Sequence, residues 1–302
     1  RIPRSAVRAV SIPSAIASPL PLRSRSIVYT LVKRDKTTIG RRVGSVRDGF
    51  GRVQRSVPRS PTGPDLMRAA PRLSLIITPY NNSARIEGTL DKAFAYLRTQ
   101  DYESEIIVVD DGSDDDTADT VSRGYPEARV VRYAENRGKG YATREGVKAS
   151  RGQFCLVYDA DSSTPISEVE RVWPEVERGA SVVIGSRALP GSNVEVPQPK
   201  HRRIMGRVYN TLLRILGLTE FRDTQCGFKA FDRRIVENVF PKLVIDGFGA
   251  DCELLAASRV QGYRVTEIPI HWINSIDTRV RPVRHALAMI AGVLRVRVRI
   301  SL

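Results

Sequence analysis

From Leu73 onward, apolar runs of strand length alternate with stretches of helical period, the pattern of a parallel α/β sheet. Leu73-Ser-Leu-Ile-Ile-Thr78 reads as a first strand, and Leu90, Phe94 and Leu97 then fall at i, i+4 and i+7 on one helix face. Further strands are expected at Glu105–Asp110, Ala128–Arg132, Phe154–Tyr158 and Ser181–Gly185, with a helical stripe at Val169, Val172, Trp173 and Val176 before the last. Beyond residue 195 the pattern loosens to a helix around Met205, Val208, Leu212 and Ile215 and a strand at Val265–Trp272. There is no internal repeat, and no low-complexity tract after residue 70.

Residues 1–70 show no such period and contain breakers such as Ser56-Val-Pro-Arg-Ser-Pro-Thr-Gly-Pro64, which predicts disorder. The first methionine, Met67, directly precedes the first strand-like run. The chain therefore divides into a disordered basic leader over 1–66 and one α/β domain over 67–302. The leader is either a targeting segment or upstream sequence translated with the domain.

Charge changes the picture only at the front. The formal net charge is +15, but residues 1–66 hold 14 Lys or Arg against three acids, so the domain itself is nearly balanced. A nucleic-acid-binding protein is the alternative from another class, and it is disfavoured because the charged tail has only Tyr29 and Phe50 as aromatics for stacking. No run approaches the roughly 18 to 20 apolar residues of a membrane-spanning helix. Cys155, Cys226 and Cys252 are far apart, which favours neither zinc nor disulfides and suits a reducing, cytoplasmic setting.

The candidate chemistry sits just past strand ends, where open α/β sheets place their ligand crevices. Asp159 and Asp161 follow the fourth strand as Tyr158-Asp-Ala-Asp161, two carboxylates spaced to share Mg²⁺ or Mn²⁺ and through it grip a diphosphate. Asp-x-Asp also occurs in solvated turns. The second strand ends in Asp110 and Asp111, followed by acids that suit a helix N-terminus, Asp114–Asp116. Asn136-Arg-Gly-Lys-Gly140 opens a helix, where free N–H groups and Lys139 can meet a phosphate or simply form a connector.

Taken in order, Pro79-Tyr-Asn81, Asp-Asp-Gly-Ser, Asn-Arg-Gly-Lys-Gly, Asp-Ala-Asp and Gly185-Ser-Arg187 resemble the inverting family 2 glycosyltransferases over residues 73 to roughly 275. Phe221-Arg-Asp-Thr-Gln-Cys-Gly-Phe-Lys229, with Phe248–Leu255 and Glu267–Trp272, is most similar to the dolichyl-phosphate β-glucosyltransferase subgroup, and less so to dolichyl-phosphate mannose synthases. The resemblance implies a GT-A, Rossmann-like domain with a mostly parallel central sheet that binds a nucleotide sugar. It implies that Pro79, Tyr80, Asp110 and Asp111 contact the nucleoside, that Asp159 and Asp161 hold the metal diphosphate, and that Lys139, Gln225 and Lys229 line the substrate site. Arg187 and Arg202 would meet an acceptor phosphate, for which a planar guanidinium fork is suited. Asp251 and Glu253 would hold sugar hydroxyls or scaffold the acceptor loop, and either would be a candidate base for a hydroxyl acceptor. The chain departs from the pattern at Asn82, where the family usually has Glu, and in having a basic, breaker-rich segment where the eukaryotic subgroup has an amino-terminal membrane anchor.

The expected activity is inverting transfer of glucose from UDP-glucose to a polyprenyl, dolichyl-type phosphate, by an enzyme peripheral to the cytoplasmic face of a membrane and with no nucleic-acid partner. GDP-mannose-dependent transfer by the same machinery is the nearest alternative. After Asp277 the chain has six Arg and no acid, ending Leu294-Arg-Val-Arg-Val-Arg-Ile300. That end reads either as a segment drawn to anionic head groups or as an edge strand with a charged outer face.

Overall fold

A strand covered on both faces must be apolar at nearly every position, and Leu73–Ile77 (β1) meets that demand with five buried residues in a row. Successive side chains point to opposite faces, so Leu73, Leu75 and Ile77 enter one core while Ile76 enters another. The computed structural model describes residues 70–196, 198–274 and 292–298. The leader expected over 1–66 lies outside the described residues.

Ser104–Asp110 (β2) and Phe154–Tyr158 (β4) flank β1 in parallel, and Arg129–Arg132 (β3) forms the edge beyond β2. Val182–Ser186 (β5) and Val265–Pro269 (β8) pair in parallel at the other side. Between β4 and β5 lies Lys229–Asp232 (β7), antiparallel to both, so the seven strands run β3-β2-β1-β4-β7-β5-β8. One face is covered by Ser83–Leu97 (α1), through Ile86, Leu90 and Ala93, and by Val169, Val172 and Trp173. The other is covered by Lys139–Ala149 (α3), Arg233–Asn238 (α6) and Ala250–Val260 (α7). The result is the three-layer, mostly parallel α/β fold expected. A two-residue pair, Asn193–Val194 (β6) with His271–Trp272 (β9), splits the single last strand that the sequence suggested.

One expectation holds and one changes. The Met205, Val208, Leu212 and Ile215 stripe does lie on a helix, Lys200–Ile215 (α5), but it faces away from the protein. The side chains that α5 buries are Tyr209, Asn210 and Leu213, whereas Ile204, Val208 and Ile215 are 58%, 63% and 76% exposed. At the carboxyl end, residues 292–298 are helical, so the edge-strand reading fails there. Val293 and Val296 join Tyr209, Leu213, Ile245 and Cys252 in a small third core. A spacing of three positions between Val293 and Val296 suits a helix face, and alternation of Arg and Val did not reveal it.

The two helix faces predict opposite outcomes in chemical denaturation. Leu90→Ala, in the core under α1, should cost about 2–5 kcal/mol. Val208→Ala, on the outward stripe of α5, should stay within about 0.5 kcal/mol of the parent.

Candidate functional site

Register decides where the carboxyl ends meet. Ile77 of β1 stands opposite Val108 of β2 and Tyr158 of β4, so Pro79, Asp110 and Asp159 all emerge at one rim of the sheet. Because β7 runs the other way, it brings its amino end to that same rim: Lys229 pairs with Val157, and residues 225–228 lie beside Asp159. Gly227 presses its backbone there so closely that a Cβ would overlap the Asp159 carboxylate. Any side chain at 227 would have to displace that carboxylate.

Asp159 accepts a hydrogen bond from Lys139 Nζ at 2.6 Å. Burial opposes its charge, but Lys139, with Lys229 and Arg187 farther off, holds the carboxyl below the usual range. Burial would likewise make the Lys139 ammonium easier to deprotonate, yet Asp159, Asp251 and Asp161 together raise its pKa above the usual lysine value. Lys229 is almost fully buried, pairs with Asp251 at 2.9 Å and also donates to the Cys226 carbonyl. It therefore supports Asp251 from below and reaches a substrate only through that carboxylate. Asp161 accepts the Ser163 N–H at 3.0 Å through one oxygen.

Loops at the other end of the rim are tied by short polar side chains. Asp111 accepts from Tyr133 Oη at 2.7 Å, from the Arg137 N–H at 2.9 Å, and from Asn136 Nδ2 at 3.0 Å and the Gly138 N–H at 2.9 Å. Its carboxylate shapes the Asn-Arg-Gly-Lys-Gly loop, and burial raises its pKa in spite of those bonds. The Asp111 N–H in turn donates to the Pro79 carbonyl at 3.1 Å. Asp110 is buried and bonds Ser113, while its second oxygen has the Arg132 guanidinium at 3.4 Å and no hydrogen bond. That orphan acceptor is the unmet polar demand of this half of the site. Tyr80 stands partly exposed.

Asn82 is buried and joins three segments. Its side-chain Nδ2 donates to the Ala160 carbonyl at 2.9 Å, its N–H donates to Thr117 Oγ1 at 2.8 Å, and its Oδ1 accepts from Arg85. Thr89 Oγ1 adds a second bond to the Ala160 carbonyl at 2.8 Å. The residue at which the chain departs from the expected Glu thus pins the loop carrying Asp159 and Asp161. Asp115 accepts from Ser83 and Thr117, in line with the helix-terminus reading of that acid run.

Next to the carboxylates, a cavity of about 450 Å³ opens between the end of β5, α5 and Trp272. Arg187, Arg202, Arg203, Arg207 and Arg222 line it, with Asp223 as the single acid. Arg187 is held bidentately by Asp223, with Nε 2.6 Å from one oxygen and Nη2 2.9 Å from the other. That contact outweighs burial, so the guanidinium pKa rises and the Asp223 carboxyl falls. Arg187 retains donors beyond that fork. Gln225 Nε2 is buried with no hydrogen-bond partner among the described residues, a donor that a bound group would satisfy.

The expected site residues therefore fall into three neighbouring groups. Asp159, Asp161, Lys139, Lys229 and Asp251 form one charge cluster, Arg187 and Arg202 share the arginine cavity, and Pro79, Asp110 and Asp111 organise the far loops. Glu253 does not reach a substrate: it is buried and accepts the Val244 and Ile245 N–H groups, scaffolding the loop before α7. Sequence reasoning gave no role to Arg203, Arg207, Arg222, Asp223 or Trp272. Arg203 and Arg207, four apart, were legible as one helix flank.

Among the described residues no group of three or more His, Cys, Asp or Glu side chains converges as a metal cage. Two carboxylates alone suit a hard cation that completes its oxygen shell with diphosphate and water, so Asp159 and Asp161 fit Mg²⁺ or Mn²⁺. The three cysteines are free and buried, and burial pushes their thiols up to about 11 for Cys155 and Cys226 and about 12 for Cys252.

The model of the family described as glycosyl transferase family 2 matches residues 74–240. The chain is 31% identical to a dolichyl-phosphate beta-glucosyltransferase of Dictyostelium discoideum over 243 residues, covering 75% of this chain and 74% of that protein. It is 30% identical over 247 residues to the protein of the same name from Homo sapiens, covering 76% and 75%. The Saccharomyces cerevisiae protein of that name is 32% identical over 222 residues, or 66% of each chain. Among solved structures, glucosyl-3-phosphoglycerate synthase from Mycobacterium tuberculosis, in complex with Mn²⁺, UDP and glucosyl-3-phosphoglycerate, superposes with a TM-score of 0.57 at 21% identity over 75% of this chain and 80% of that one. Mannosyl-3-phosphoglycerate synthase from Rubrobacter xylanophilus gives 0.57 at 19% identity over 74% and 73%. The fold is GT-A.

Gly227→Ala should drive a methyl group against Asp159 and displace its carboxylate. Mn²⁺ affinity, followed by electron paramagnetic resonance, is expected to fall by about 10- to 100-fold. Unchanged affinity in a folded variant would remove Asp159 from the metal site.

Proposed function

The chain belongs to glycosyl transferase family 2, and from that membership we propose that it transfers glucose from UDP-glucose to a dolichyl-type polyprenyl phosphate, with inversion at the anomeric carbon. The carrying observation is the arginine-lined cavity opening beside the Asp159 and Asp161 cluster, a phosphate-shaped demand next to a diphosphate-shaped one. The names of the relatives above support glucose as the sugar and dolichyl phosphate as the acceptor.

Arg202, with the free donors of Arg187, holds the acceptor phosphate by charge-assisted hydrogen bonds. An oxygen of that phosphate attacks the anomeric carbon from the face opposite the diphosphate. The new carbon–oxygen bond forms as the bond to the β-phosphate oxygen breaks, which releases UDP. The acceptor is already anionic near neutral pH, so no side chain must remove a proton. Asp251, fixed by Lys229, is then placed to hold sugar hydroxyls. Lys139 contributes positive charge where the diphosphate lies, and Asp110 offers its orphan oxygen to the nucleoside. A divalent cation bound at Asp159 and Asp161 supplies Lewis-acid neutralisation of the leaving diphosphate. A polyprenyl phosphate resides in a lipid bilayer, so the enzyme works in peripheral contact with a membrane.

Two variants test this reading in an assay with radiolabelled nucleotide sugars, Mn²⁺ and polyprenyl phosphate. Asp161→Asn should lose nearly all turnover while the melting temperature stays close to the parent. Arg202→Ala should weaken use of the acceptor by about one to two orders of magnitude, the loss of a charged hydrogen bond, and leave UDP binding unchanged. Arg187→Ala is the less clean probe, since it also strands the buried Asp223 carboxylate and should lower stability by several kcal/mol, on the order of 3–5. Label transferred from GDP-mannose in preference to UDP-glucose would reassign the donor.

A further inference from the structure

Helix α5 is amphipathic in the wrong sense for a helix that only covers a core. At 100° per residue, Ile204, Met205, Val208, Leu212 and Ile215 fall within about a third of its circumference, opposite the buried Leu213. Four of the five are exposed, Ile215 the most at 76%. One flank of the stripe carries Lys200, Arg203, Arg207 and Arg214, and the helix holds no Asp or Glu. An outward apolar stripe beside a cationic flank is the pattern of a helix lying in a membrane interface.

We infer that α5 is a membrane-docking element, its stripe of Ile204, Val208 and Ile215 entering the interface of a bilayer that contains anionic lipid. This rests on the acceptor reading above and gives it a surface. Two further observations select a bilayer as the occupant. Arg203 and Arg207 line the flank and the cavity alike, so a lipid phosphate in the cavity lies at the border of the stripe, and its hydrocarbon chain can pass along it. A second copy docked antiparallel on this face would bring the same basic flank against itself, where like charges repel. The helical residues 292–298, packed on α5 through Val293 and Val296, add exposed Leu294 and Val298 to the apolar surface of this region.

The test uses the full chain with Val208→Cys carrying an environment-sensitive nitrobenzoxadiazole probe, since the three native thiols are buried and unreactive. Asp101→Cys, on the loop at the opposite rim of the sheet, is the control position. The basic leader can attract the protein to vesicles, but only docking through α5 moves the probe at 208 into lipid. Mixed phosphatidylcholine and phosphatidylglycerol vesicles should shift the 208 emission to the blue and make it quenchable by nitroxide lipid. Phosphatidylcholine alone should give a much weaker shift, and the probe at 101 should give none. Ile204→Asp with Ile215→Asp should weaken the 208 response by about tenfold or more. The same pair should leave UDP binding and the melting temperature close to the parent.

No shift at 208, equal shifts at 208 and 101, or a shift that rises with protein concentration in the absence of lipid would each overturn the inference, the last by showing a second copy on the stripe. A probe already blue in buffer and indifferent to vesicles would also overturn it, by showing that the chain covers its own stripe. Failure of the parent to transfer glucose in detergent, with the vesicle response intact, would instead strike the acceptor reading.

Discussion

Carboxylates crowded at one rim of a sheet repel one another, and everything in the site depends on how that repulsion is met. Asp159, Asp161, Asp223 and Asp251 are answered by three cations, Lys139, Lys229 and Arg187, each delivered by a different element. The balance falls one positive charge short. The carboxylate cluster therefore keeps a net negative charge after its ion pairs are counted. The acceptor half is the reverse, five arginines around a single carboxylate. The fold thus sets an electronegative cluster beside an electropositive cavity, the pair of surfaces on which the proposed transfer rests.

The antiparallel β7 makes this arrangement possible. A fully parallel sheet would place only carboxyl ends at the rim, and residues such as Lys229 would start at the far side. Reversal of one strand brings the segment 225–229 back to the carboxylates, with a glycine against Asp159 and a lysine beneath Asp251. Lys229 is nearly inaccessible, so its effect on chemistry passes through Asp251. Removing one member of such a buried pair costs far more than the pair itself contributes, because the partner is left charged and alone.

The alternation of strand and helix was plain in the sequence, as were the acids after β2 and β4, because burial on both faces demands unbroken apolar runs and turns demand polar ones. β7 was not legible as a strand: four residues that begin with Lys and end with Asp carry no strand signature, and their burial comes from neighbours 70 residues away. The same holds for Asn82: its departure from the family pattern was visible, but the tie it makes between loops depends on Thr117 and Ala160, far off in the chain. The periodicity on α5 was visible, but periodicity states only that apolar residues share a face. Which side that face meets is a property of the whole fold.

Gly227 and α5 also differ in how freely they can change. The carboxylate cluster is closed around the Gly227 backbone, where a methyl group fits only if the Asp159 carboxylate moves, so a change there alters the geometry of the site. The arginine-lined cavity is walled by a helix whose outer positions are exposed, and substitutions there cost little stability. Selection can therefore vary the outer face of α5 while the carboxylate cluster stays fixed, a division of labour between the two ends of one rim.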